Sequence, residues 1–381
     1  MDRILGQPAA LEALRAQLAT DRVHHAQIFH GPAGVGKFTT AVAFARELLC
    51  HNPVTDLHGN RSACGDCPSC KLFDALQDAT AQDNDDPTAA LASAHPDLHI
   101  VTKELALFSD DANERARKLT SIPVGVIREH LLAPASLAPT LNHGKVFIVD
   151  EAELLNPTGQ NALLKTLEEP TPGTYLVLVT SSDHRLLPTI RSRCQRVAFG
   201  ALGDAAVARW LGEHHNGLDE QAAKWVVGFA QGSLGRAALA VRFGLVEWGA
   251  AVLSPIQRLA NSGRPEPTLG SSIGECVDGF AAAWVGSNKN ASKEAANRRA
   301  AALMGSMISN YARRRMASAA EQCDPDTPGD SEQQLAPWLG VIEAVTEFER
   351  QLSSNVNLKL CCEGLSMAIH GALLGVQVVS G

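Results

Sequence analysis

No stretch of this 381-residue sequence approaches the ~18 uninterrupted apolar residues of a membrane-crossing helix, so no membrane span is expected. The opening residues, Met1 to Gln7, lack a long apolar run and do not read as a secretory signal. An excess of basic charge is also missing: the formal net charge is -8. That excludes a protein that coats nucleic acid by bulk charge, so any such contact must be local or shared with partners. There is no evident internal repeat. These absences predict a cytoplasmic protein. In that compartment thiols stay reduced, and clustered cysteines read as metal ligands before disulfides.

The length allows two or three domains, each with its own core. Residues 7–20 carry an amphipathic helical pattern through Ala10, Leu11, Leu14 and Leu18. A short apolar run, Ala26 to His30, precedes a glycine-rich turn, and a helical pattern rich in Ala and Leu runs from Thr40 to Cys50. Leu98 to Val101, Lys145 to Val149 and Tyr175 to Val179 read as further buried strands, and Val124 to Leu132 as a helix. Asn156-Pro157-Thr158 opens another helix, capped by Thr158 or Asn156 and stopped by Pro170. Strands alternating with helices predict a parallel sheet covered on both faces, with ligands at the C-terminal strand ends. From about Ala201 the strand signal is gone. The expected fold is therefore α/β followed by all-α. Residues 203–245 read as a small helical domain and 246–381 as a larger one, with loops near 262–271 and 323–335. An acidic stretch at 74–91 reads as a solvated insertion without assigned function.

Gly31-Pro32-Ala33-Gly34-Val35-Gly36-Lys37-Phe38 fits the pattern G-x-x-x-x-G-K. Gly31, Gly34 and Gly36 let backbone N–H groups curl around phosphate oxygens, Lys37 supplies a point charge, and the following helix adds its positive end. The hydroxyl that ligates Mg²⁺ in this motif is replaced by Phe38. Thr39, one place on, points about 100° away on a regular helix and is an imperfect substitute. The site is thus expected to bind ATP phosphates better than it supports a magnesium-dependent reaction. Asp150-Glu151, ending an apolar strand, fits a Walker B pair: Asp150 for the metal shell, Glu151 to orient an attacking water. Thr180 or Ser181 is placed either to sense a terminal phosphate or as an ordinary loop hydroxyl. Further on, Arg193 in Leu186 to Gln195 offers a cation either to a local ion pair or to a neighbouring chain's nucleotide.

Cys50, Cys64, Cys67 and Cys70 are spaced C-x13-C-x2-C-x2-C. Such spacing lets thiolates converge on one tetrahedral ion, and four protein ligands leave no open position, so a structural zinc is expected ahead of an iron–sulfur cluster. Cys194, Cys276, Cys323, Cys361 and Cys362 lack the spacing and read as small core residues.

Taken together, Leu5-Gly6-Gln7, His25-Ala26, the P-loop, the cysteine cluster, His95-Pro96-Asp97, Ile127-Arg128, Asn161 to Pro170, Leu187 to Gln195, Gly232 to Ala237 and Asn355 to Leu360 resemble the clamp-loader branch of the AAA+ ATPases, subunits of bacterial DNA polymerase III. The resemblance covers the first 240 residues well and 246–340 poorly. It implies a RecA-like AAA+ domain over 1–200, a helical lid over 201–245 and a helical collar over 246–381. It implies a hetero-pentamer with gamma/tau-type motor subunits and a delta subunit, acting on the sliding clamp and primed DNA. Arg193 is then an arginine finger acting in trans, and Arg236 a residue of the second-sensor segment. Phe38 departs from the motor pattern and favours a stator with weak or no ATPase. The alternatives are a gamma/tau-type motor and an unrelated zinc-stabilised nucleotide switch.

Overall fold

The computed structural model describes residues 1, 4–57, 59–82, 95–109, 115, 120–141, 143–287, 292–322, 328–353 and 357–375. Half of the expected acidic insertion, residues 83–91, lies outside the described residues, as do 323–327, Asn355 and Val356. The chain forms two compact units, one of Met1–Asn216 with Ala230–Ala237, the other of Gly217–Phe229 with Ala238–Gly381.

The first unit is built on a five-stranded parallel sheet whose strands lie in the order Leu98–Val101, Lys145–Val149, Thr174–Thr180, Ala26–His30, Gln195–Ala198. Helix α1 (Pro8–Ala19) precedes β1 (Ala26–His30), and α2 (Lys37–Leu49) starts directly on the glycine loop. A two-stranded hairpin, β2 (Val54–Thr55) and β3 (Arg61–Ser62), leads to α3 (Pro68–Gln82) and β4 (Leu98–Val101). Then follow α4 (Val124–Ile127), a π-helical turn at Arg128–Leu132, α5 (Ala133–Ala135) and β5 (Lys145–Val149). Helix α6 (Pro157–Glu168), β6 (Thr174–Thr180), α7 (Pro188–Arg191) and β7 (Gln195–Ala198) complete the sheet layer.

All five residues of β5 are buried, as expected of a strand covered on both faces. Its Phe147 and Val149 join Ile28, Leu178, Ile127, Leu131 and Leu163 in one hydrophobic core. Burying one such side chain contributes roughly 1.5–3 kcal/mol. Of the two candidate caps of α6, Asn156 is the one used, its Oδ1 accepting the Gly159 N–H at 2.7 Å. The expected single helix over Val124 to Leu132 is instead α-helical only to Ile127 and π-helical after it.

Helices alone make up the described part of the second unit. They include α9 (Glu220–Ala230) apart from its last residue, α10 (Leu234–Arg242) from Ala238 on, and α11 (Val246–Trp248), followed by a π-helical turn at Gly249–Leu253. Next come α12 (Ser254–Ser262), α13 (Leu269–Ser287), α14 (Lys293–Gln322), α15 (Pro328–Ser353) and α16 (Leu358–Leu374). One short helix of the first unit, α8 (Asp204–His214), precedes them in the chain. The α/β-then-helical architecture is thus the one expected. Within the loop expected near 323–335, residues from Pro328 on are helical instead, and 323–327 lie outside the described residues. No single helix among the described residues is long and apolar enough to cross a membrane.

Candidate functional site

Three strand ends meet at one edge of the sheet. Register places His30 opposite Thr180 and Val149 opposite Leu178, so the residues following β1, β5 and β6 emerge side by side. The glycine loop leaves β1 with Gly31 at φ +138, Gly34 at φ +72 and Gly36 at φ +98, conformations that L side chains rarely adopt. A Cβ at Gly31 would lie 2.0 Å from the Phe199 carbonyl oxygen. Over Gly36, in contrast, there is open space. No side chain caps the N-terminus of α2, which leaves its positive end to an anion.

Lys37 is 6% exposed and donates from Nζ to the carbonyls of Gly31 at 2.7 Å and Pro32 at 2.5 Å. Burial pushes its pKa down, and the carboxylates of Glu153 and Asp150 oppose that. Gln7 braces the loop from outside, donating to Val35 O at 3.2 Å and Gly200 O at 2.8 Å while accepting from Gly200 N at 3.1 Å. The turn before α10 packs on the other side. Gly235 N–H donates to Gly34 O at 3.0 Å, and a Cβ on Gly34 would meet Ser233 Oγ at 2.4 Å. The Arg236 guanidinium donates to Gln231 Oε1 at 2.8 Å, and burial pulls its pKa down.

The acidic pair stands at the end of β5. Asp150 Oδ1 accepts the Glu151 N–H at 3.0 Å, and its carboxyl is pushed up to about 6 by burial first and by the neighbouring Glu151 charge second. Glu151 adopts a left-handed backbone, φ +50, and its exposed carboxylate pairs with Lys103. Sequence reasoning missed both Lys103 and Glu153. Glu153 accepts from the Ser181 hydroxyl and, at 3.2 Å, from the Ser181 N–H. Burial would raise its pKa, but the Ser181 and Thr180 hydroxyls outweigh that and hold it low. The acid three places after Asp150 was the signal available. Thr180 itself is buried, with Oγ1 accepting the Ser182 N–H at 3.0 Å.

The position of the metal-ligating hydroxyl on α2 is held by Phe38. Phe38 is half-buried and Thr39 exposed. Thr40 is fully buried and donates its hydroxyl to Gly36 O at 2.8 Å. The glycine loop, the uncapped start of α2 and buried Lys37 fit a phosphate group, whereas Phe38 in the ligand slot does not fit a magnesium ion.

Arg193 sits just past α7, away from this cluster in the chain's own fold. Its Nη2 pairs with Glu168 at 2.6 Å and its Nη1 donates to Thr189 O at 3.0 Å, with over a third of the side chain exposed. The segment leading to it is fixed by Gln160, which sequence reasoning also missed. Buried Gln160 donates to Leu155 O at 2.9 Å and Arg185 O at 3.2 Å, and accepts from Leu187 N at 2.7 Å. The neighbouring Cys194 is a core thiol that burial pushes up to about 12. Other motif residues are scaffold. His25 Nε2 bonds the Leu167 carbonyl at 2.9 Å, and Asp97 accepts the N–H groups of Thr140 and Leu141 at 2.6 and 2.8 Å.

The four clustered cysteines converge. Their Sγ atoms all lie within 4.8 Å of one another, Cys50 to Cys64 at 3.6 Å and Cys50 to Cys67 at 4.0 Å. Thiolates about 2.3 Å from a shared tetrahedral zinc sit about 3.8 Å apart, so the set fits that ion. Backbone N–H groups of Cys64, Cys67 and Cys70 donate to the sulfurs of Cys50, Cys64 and Cys67, as thiolate acceptors require. The Cys67 thiol is drawn down to about 6: burial would raise it, but donors led by the Cys70 and His51 N–H groups prevail.

Residues 6–203 match the protein family described as DNA polymerase III, delta subunit. The chain is 34% identical over 201 residues to the DNA polymerase III subunit delta' of Pseudomonas aeruginosa, covering 52% of this chain and 51% of that one. To the Bacillus subtilis subunit delta' it is 28% identical, over 53% and 50%. To the subunit tau/gamma of Haemophilus influenzae it is 31% identical, over 55% of this chain and 25% of that one. The chain thus spans about half the length of the curated delta' relatives it matches. A Thermotoga maritima gamma subunit-related structure aligns with 94% of this chain and 98% of its own at 16% identity and a TM-score of 0.42.

Proposed function

We propose that this chain, which belongs to the DNA polymerase III delta subunit family, is the delta prime stator of a clamp loader and completes a neighbour's nucleotide site with Arg193. In this reading it occupies a hetero-pentamer with gamma/tau-type motor subunits and a delta subunit, in the cytoplasm. The assembly places the sliding clamp on primed DNA. Residues 1–200 serve as the AAA+ domain, 201–245 as the lid and 246–381 as the collar. Its own P-loop holds phosphate and turns over slowly or not at all, with Glu151 a residual water-orienting group. Cys50, Cys64, Cys67 and Cys70 hold a structural zinc, which ties the end of α2 to the start of α3.

The observation that carries the reading is the state of Arg193. Its guanidinium is held by a surface ion pair to Glu168, and such pairs contribute only about 0–1 kcal/mol. Releasing it toward a neighbour costs little. A guanidinium placed against a terminal phosphate stabilises charge that develops during transfer and accounts for roughly 10³–10⁵ in rate where one is used. The missing hydroxyl at Phe38 argues against the motor role.

The test is reconstitution with motor and delta subunits. Arg193→Ala should lower the loader's DNA-stimulated ATPase severalfold while gel filtration shows an intact assembly. An unchanged rate in an intact assembly would sink the finger assignment.

A further inference from the structure

The parts of the P-loop that hold phosphate and the parts that hold metal have come apart in this chain. On the phosphate side the loop is complete: Gly36 is in the left-handed region beneath open space, the N-terminus of α2 is uncapped, and Lys37 lies buried in the loop. On the metal side the ligand slot on the first turn of α2 carries no oxygen. Phe38 holds the slot, Thr39 is exposed, and the Thr40 hydroxyl is spent on Gly36 O at 2.8 Å. The carboxylates at the strand ends are partly committed as well, Glu151 to Lys103 and Glu153 to Ser181. Magnesium demands near-octahedral oxygen geometry and dehydrates reluctantly, so it is held poorly where its protein ligands are missing.

We propose that this P-loop takes a nucleoside diphosphate without a magnesium ion. The inference rests on the reading of the loop as a phosphate site. The preference for two phosphates over three follows from the charges around Lys37. Asp150 and Glu153 follow β5 at the same sheet edge where the loop leaves β1, Glu153 bonded to Ser181 just past β6, and both carboxylates act on the Lys37 ammonium. In an ordinary P-loop a metal shields a terminal phosphate from such groups. Here a third phosphate would bring added negative charge toward them unshielded, and like charges in a partly buried site repel strongly. A diphosphate places its charge on the loop N–H groups and Lys37 and stops short of that cost.

Calorimetric titration of the full chain with ADP and with ATP, each in excess EDTA and in excess magnesium, tests this. ADP should bind with an affinity that magnesium changes by no more than about twofold. In EDTA it should bind at least about tenfold tighter than ATP, the scale of one uncompensated charge repulsion. Lys37→Ala should abolish binding in both buffers without loss of thermal stability. Phe38→Thr should make ADP binding magnesium-dependent, and Mn²⁺ paramagnetic resonance should detect ion retention only in that variant with nucleotide. Wild-type binding that requires magnesium, or that favours ATP in EDTA, overturns the proposal and leaves the loop a phosphate site. No binding of either nucleotide in either buffer overturns the phosphate reading itself. The stator role, which draws on Arg193, would survive both outcomes.

Discussion

Asp150 carries a cost at neutral pH that can be read directly. Burial, then the Glu151 charge, push its carboxyl up to about 6, against 3.8 for an unhindered aspartate. The folded chain therefore binds this proton more tightly than the unfolded chain does. Stability from this group is full below about pH 4 and is lost as pH rises through about 6, amounting to roughly 2–3 kcal/mol at most. Asp150→Asn removes the charge and keeps the shape. It should raise the melting temperature at pH 7.5 and leave it nearly unchanged at pH 4. An equal change at both pH values would refute the assignment of the cost to this carboxylate. At the residue scale the sequence made Lys37, Asp150 and the four cysteines legible, because each sits in a spaced pattern with chemistry attached. Glu153, Lys103 and Gln160 were not legible. Their roles come from what the fold sets opposite them: Ser181, Glu151, and the backbone of Arg185 and Leu187. The Gly235 contact with Gly34 O was likewise hidden, since it joins residues 201 positions apart.

Helix α2 has chemistry at both ends, the glycine loop at Lys37 and Cys50 at its C-terminal cap. The cluster joins that cap to Cys67 and Cys70 at the start of α3. Structural zinc sites contribute their binding energy to folding, so the ion's loss should be felt by the helix that carries the P-loop. Metal analysis of reduced, unchelated protein should find about one zinc per chain. Stripping it, or replacing Cys70 by Ser, should lower the melting temperature by about 5–10 °C. A chain that melts unchanged after complete removal would contradict a structural role. The buried strands β1, β4, β5 and β6 were legible as apolar runs. β7 was not, because three of its four residues are exposed and its run is too short to show alternation. The π-helical turn at Arg128–Leu132 was equally hidden, since its composition is that of an ordinary helix.

At the scale of the whole molecule, the chain is acidic and divides into an α/β unit and a helical one. A formal charge of -8 leaves little to drive counterion release. By itself the chain should bind duplex DNA no tighter than about 100 μM at physiological salt, as measured by fluorescence anisotropy. Micromolar binding by the isolated chain would mean that it holds a concentrated basic surface of its own. The turn of Ala230–Ala237 belongs with the α/β unit although the helices on either side extend into the other one. That division follows contacts such as Gly235 to Gly34, which no local pattern announces.

That contact bears on how this loop can change over evolutionary time. A methyl group on Gly34 would strike Ser233 Oγ at 2.4 Å and the Gly235 Cα at 3.0 Å, and one on Gly235 would lie 3.0 Å from the Gly34 Cα. Gly31 is confined in the same way by Phe199. These glycines are thus retained by packing, whether or not a nucleotide ever arrives. A descendant that had lost all phosphate binding would still display most of the signature, a molecular fossil kept by its neighbours.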